Sequence, residues 1–254
     1  MKFIIFLLLP WLSGGCALLL ARLQWAQPLL FPWPLLAALA IHLCATVWIG
    51  WRRLSVREAV EKMLPSVLAM AAFGLSLLLL EGAIARYTVT ILFAGVSLLS
   101  LKLFFLLCWD PQRYPVNALS HVNVALVPLI AFFLGLSLNG LTIFVRLPWW
   151  AGVSVFGVTV AALYLVTSHP TADAAHRARW TALGLFVGIQ SAILTQVLPG
   201  NMLVQGALAA LLVALPLRMR RYAYEPKPSR RVAWFEGVLG AGAYMAILLL
   251  SRWA

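Results

Sequence analysis

The chain has 254 residues, of which 63% are hydrophobic and 10% charged, and it carries a formal net charge of +12. A soluble domain is roughly half apolar and a quarter charged, so a water-soluble fold is excluded; the long apolar runs also lack the period-two alternation of a transmembrane barrel. The positive charge calls for no nucleic acid, because basic connections facing anionic lipid headgroups account for it.

Nine apolar runs predict an all-α, polytopic transmembrane bundle with spans at 3–21, 29–51, 63–81, 87–109, 119–138, 147–168, 180–198, 202–217 and 233–252. Most contain about 20 residues, which at 1.5 Å rise per residue matches a hydrocarbon layer of roughly 30 Å. Lys2 and the leucine-rich first run resemble a secretory signal peptide, and Ser13-Gly14-Gly15-Cys16 resembles a lipoprotein cleavage box. Serine three positions before the cysteine, and the apolar continuation from Ala17 to Ala21, favour a retained helix. Cys16, Cys44 and Cys108 lie in or at the edge of apolar runs without metal-ligand spacing and read as small buried hydrophobes.

Between the second and third spans, residues 52–62 predict a short amphipathic helix on the membrane surface, with Ser55 as its N-cap and Glu58 three residues on. Glu81 and Arg86 flank the next turn and form a candidate binding pair, or a simple interfacial ion pair. They match half of the EExxxR signature of intramembrane CAAX-type proteases. Gly82 stands where that signature has its second glutamate, and the family's later histidines are missing apart from His121, which excludes the assignment. Lys102 lies inside the fourth span and is expected to snorkel toward the nearer boundary.

The densest polar stretch follows Trp109 and holds the candidate catalytic cluster Asp110, Arg113, Tyr114, Asn117, His121 and Asn123. Asn117 and His121 share a helix face. Asp110 or His121 could take a proton and Arg113 could hold a carboxylate or phosphate. The structural alternative is a capped entry to the fifth span. A second polar set, Gln190, Thr195 and Gln205, is a candidate polar path through the seventh and eighth spans. Gly184 and Gly188 form a GxxxG step that permits close helix approach. Pro199-Gly200-Asn201 predicts a tight turn, and the prolines of 222–231 an extended connection. His42 stands alone in its span, no pair of histidines has metal-ligand spacing, and no cofactor or metal is expected.

Alternating connections put Lys2, Arg52, Arg53, Arg57, Lys62, Arg113, Arg177, Arg179, Arg218, Arg220, Arg221, Lys227, Arg230 and Arg231 on one side, and Arg22, Arg86, Arg146 and Arg252 on the other. The positive-inside rule then predicts a cytoplasmic N-terminus and an external C-terminus in the cell (inner) membrane. Trp25, Trp33, Trp149, Trp150 and Trp253 fall at the outer boundary. Trp48, Trp51, Trp109, Trp180 and Trp234 fall at the inner one, and only Trp11 lies deeper. A single transmembrane domain 1–254 is expected; a shift of about 116 residues lays the first spans on later ones, which reads either as parallel four-helix repeats, 1–115 and 116–217, with a last helix, 232–254, or as the chance coincidence of evenly spaced helices. The expected function is a non-enzymatic membrane subunit or scaffold, with membrane lipids and other membrane subunits as partners and no nucleic acid. The alternatives are a small transporter or lipid/solute translocator, and a membrane enzyme acting at the cytoplasmic face.

Overall fold

The computed structural model describes residues 2–51, 53–168, 173–198, 201–219 and 230–250. Among these residues every regular element is helical and no strand occurs. Among the described residues nine α-helices follow one another: α1 Lys2–Ala26, α2 Trp33–Gly50, α3 Val56–Ser76, α4 Ala83–Trp109, α5 Ala118–Phe144, α6 Trp149–Val166, α7 Ala174–Val197, α8 Met202–Met219 and α9 Arg230–Leu250. Helices α1 to α7 each contain a stretch long and apolar enough to cross a bilayer, whereas the apolar parts of α8 (Met202–Arg218) and α9 (Gly237–Ala246) are shorter. The tight turn at 199–200 and the connection at 222–229 lie outside the described residues, as do Arg52, His169 and Trp253.

The ends of the helices differ from the expected spans where local capping decides. Ser55 and Glu58 close a full capping box: the Ser55 hydroxyl accepts from the Glu58 N–H at 3.2 Å, and the Glu58 carboxylate accepts from the Ser55 N–H at 2.9 Å. The segment expected as a separate surface helix is therefore the first part of α3, which runs unbroken to Ser76 instead of spanning 63–81. Nothing between Lys62 and Met63 breaks the backbone ladder, and the Arg57–Glu61 ion pair at 2.8 Å supports the first turns. Asp173 starts α7 early in the same way, its carboxylate accepting from the His176 N–H at 2.8 Å. Pro10, Pro65, Pro128 and Pro216 lie inside helices, as membrane helices tolerate.

The chain divides into two compact units, Met1–Leu126 and Val127–Ala254. In the first, α1 lies against α4 and α2, α2 against α3 and α4, and α3 against α4. One apolar core there contains Ala45, Ile49, Ala59, Met63, Leu101, Phe104, Phe105 and Leu119. In the second, α6 packs most extensively on α7, α7 on α8, and α8 on α9. The GxxxG step lies in the α6–α7 contact: a Cβ on Gly188 would come within 2.9 Å of the Gly157 Cα, and one on Gly184 within 2.7 Å of the Tyr164 Cβ. Lipid tails are as apolar as side chains, so this pair is held by dispersion at close range, which small residues permit.

Candidate functional site

The polar groups that come together are those of a buried chain in the first unit, joining four helices. The His42 ring on α2 lies 3.1 Å through Nδ1 from the Ser97 hydroxyl on α4, and 3.0 Å through Nε2 from the Ser66 hydroxyl on α3. Ser97 in turn lies 3.0 Å from the Ser13 hydroxyl on α1. Ser13 is 3% exposed and the other three side chains are 0% exposed.

The proton positions follow from counting donors. A serine hydroxyl has one hydrogen, and the Ser66 hydroxyl gives it to the Met63 carbonyl at 2.7 Å. Ser66 can then only accept from His42, so Nε2 carries the ring proton and Nδ1 accepts. The Ser97 hydroxyl must donate to Nδ1, which leaves its oxygen to accept from Ser13. Every link is thus filled with the imidazole neutral, and the chain runs in one sense: Ser13 to Ser97, to His42, to Ser66, to the Met63 carbonyl. A neutral, fully bonded ring is the form that hydrocarbon surroundings favour.

A hydroxyl donating to an imidazole is also the first contact of a nucleophile and its base. Here the orienting third group is a serine rather than a carboxylate, and the pair is sealed from solvent. The arrangement ties four helices at a common depth; it offers a substrate no entrance.

The residues singled out in the sequence are placed differently. The Arg113 guanidinium pairs with the Asp110 carboxylate at 3.5 Å, three residues back on the same loop, and is largely exposed. The Tyr114 hydroxyl accepts the Leu119 N–H at 2.9 Å and so satisfies one of the free donors at the start of α5. Asn117 has φ 55°, in the left-handed region that asparagine tolerates. Its backbone carbonyl, not its side chain, bonds the His121 ring at 2.9 Å. Asn123 is buried and donates to the Lys62 carbonyl at 2.9 Å, joining α5 to α3. No hydrogen bond or ion pair links His121 to Asp110 or Arg113 among the described residues. The stretch forms a bonded entry to α5.

Arg86 donates to the Leu80 carbonyl near the end of α3 rather than pairing with Glu81, which is exposed. Gln190 is exposed, Thr195 is buried with its hydroxyl on the Ala192 carbonyl, and Gln205 is buried and donates to the Leu198 carbonyl at 3.3 Å. Gln190 and Thr195 therefore occupy different faces of α7. The Lys102 side chain is exposed and its ammonium lies 5.8 Å above the ring of Trp11. The lysine inside a span and the one deep tryptophan are thereby a single cation–π contact between α4 and α1.

In the sequence Ser66 and Ser97 attract no notice, Ser13 figures only in the resemblance to a cleavage box, and His42 reads as solitary. The usable signal was depth, since Ser13, His42 and Ser97 each fall near the centre of their expected spans. Among the described residues no group of three or more His, Cys, Asp or Glu side chains is placed to hold a metal ion.

Long apolar helices joined by internally satisfied polar groups define an all-helical, membrane-embedded protein. Compared with known proteins, the chain matches no protein-family model, no curated protein and no solved structure.

Proposed function

We propose that the protein is a non-enzymatic helical subunit or scaffold of the cell (inner) membrane, with its basic connections on the cytoplasmic side. The observation that carries this reading is the closure of its most deeply buried polar chain: Ser13, His42, Ser66 and Ser97 satisfy one another, leaving no reactive group of that chain facing an opening. Catalysis needs a base or nucleophile within reach of a substrate, and Asp110, Arg113 and His121 are occupied by their own loop and helix end. A solute path needs polar groups lined up through the span, and Gln190 and Thr195 are on different faces of α7. The outer surface, by contrast, is rich in large apolar side chains, among them Trp33, Trp48, Trp150, Phe186 and Val197. Such a surface suits lipids and the helices of other membrane subunits as partners.

Two measurements test this. Extracted gently from its native membrane, the protein should migrate in an assembly larger than one chain. The variants Asp110→Asn, Arg113→Ala and His121→Ala, once shown to insert normally, should complement whatever defect deletion produces. A monomer in native membranes, or loss of complementation by any of the three variants, overturns the proposal.

A further inference from the structure

Helix α7 has two seams of opposite character. Gly184, Gly188, Ser191 and Thr195 are buried, and at least the two glycines lie against α6. On the other side Leu183, Phe186, Gln190, Ile193 and Val197 are all exposed. Their spacing alternates three and four residues, the period with which one helix packs along another in a left-handed pair. Only 28% of the apolar window of α7 is buried, less than for any other candidate span among the described residues.

Gln190 sits at the middle of this exposed seam, with two large apolar positions on either side. It makes no hydrogen bond to any described residue. An unpaired primary amide facing hydrocarbon is costly, so among the described residues a polar demand stays open midway along this seam.

We propose that α7 pairs with α7 of a second copy of this chain along Leu183, Phe186, Gln190, Ile193 and Val197, with the two Gln190 side chains hydrogen-bonded to each other. The occupant follows from complementarity of partial charge. A carboxamide presents both donors and an acceptor, so it is its own partner. Two copies inserted in the same sense run parallel, and a twofold axis along the membrane normal sets each residue opposite its own counterpart at equal depth. The polar layer then meets the polar layer, and the apolar layers meet one another. The proposal deepens the subunit reading and rests on it, naming the first partner as the protein itself.

The experiment uses the full chain with Cys16, Cys44 and Cys108 replaced by serine, reconstituted in vesicles of phosphatidylcholine and phosphatidylglycerol. Phe186→Cys and Ile193→Cys, each as the single cysteine, should form disulfide-linked dimers, and Ile189→Cys should not. Energy transfer between two fluorophore-labelled pools should show association that Gln190→Leu weakens about five- to thirtyfold and that Gln190→Asn largely keeps. Cross-linking without this periodicity, or association unchanged in Gln190→Leu, overturns the pairing. A chain that is monomeric in these vesicles yet assembled in native membranes overturns the self-pairing alone, because a different subunit then covers the seam. A monomer in both settings overturns the subunit reading as well.

Discussion

A histidine ring closed off from water stays neutral and bonded only when one nitrogen donates and the other accepts. Ser66 fixes that division for His42, because its own hydrogen is committed to the Met63 carbonyl. The ring should therefore be the Nε2–H tautomer, visible in the ¹⁵N shifts of histidine-labelled protein in micelles; an Nδ1–H ring would refute the bonding sequence. The same direction makes the serines unequal. Ser66→Ala strands a buried N–H donor and should cost about 1–3 kcal/mol in reversible unfolding from mixed micelles. Ser13→Ala removes only the end of the chain and should cost about 0.6 kcal/mol, the average of single hydrogen bonds between membrane helices. Equal losses would show that the chain has no such polarity. Part of this was legible in the residues alone. Ser13, His42 and Ser97 share a depth in the expected spans, as do Trp11 and Lys102. Ser66 did not, because a span beginning at 63 put it at an end; the capping box at Ser55 moves it to the middle of α3. Which hydroxyl meets which nitrogen depends on how four helices are arranged around one another, and spacing along one helix carries no information about that.

Helices of this protein are distinguished less by hydrophobicity than by where their small residues fall. On α7 the glycines at 184 and 188 let the backbone approach α6 so closely that a methyl group at 188 would meet the Gly157 backbone at 2.9 Å. Backbone cannot swing aside as a side chain can, so Gly188→Ala should cost about 1–3 kcal/mol by overpacking. Gly95 on α4 has nothing within 4 Å of the same added atom. Gly95→Ala should then be neutral or stabilising by up to about 1 kcal/mol through helix propensity. Thermal or detergent unfolding of the two variants measures the contrast, and similar losses at both sites would mean that α6 and α7 do not meet through this seam. The GxxxG step was readable in the sequence, and so were the approximate spans, because composition and length alone decide them. The helix ends were less so: α1 and α5 continue to Ala26 and Phe144, past the expected 21 and 138. Hydropathy locates the hydrocarbon, whereas hydrogen bonding decides where a helix stops.

At the scale of the molecule the decisive property is the distribution of its basic residues, which, among the described residues and Lys102 apart, fall on connections or toward helix ends. Arg53, Arg57, Lys62 and Arg113 belong to the connections after α2 and α4 or to the first turns beyond them; Arg22 and Arg86 belong to the opposite ends. Moving a cluster of arginines across a bilayer during insertion is costly, so the richer side is expected to stay where synthesis occurs. The buried polar chain bears on the same question. Positions 116 residues beyond Ser13, His42, Ser66 and Ser97 hold Leu129, Val158, Ala182 and Val213. Any internal duplication thus leaves this clasp to the first unit alone, and orientation is best tested there. Leu29 is 99% exposed on the connection after α1 and Ile84 is 84% exposed in the first turn of α4, both expected outside, and Val116 is 85% exposed on the connection after α4, expected inside. In a cysteine-free background a membrane-impermeant maleimide should label Leu29→Cys and Ile84→Cys in intact cells. Val116→Cys should react only after permeabilisation. Because successive connections are expected to alternate along α1 to α5, a reversed pattern would invert the order of sides and place the arginine-rich connections outside. Labelling of all three from one side would break the alternation itself and, with it, the assignment of α4 as a crossing helix.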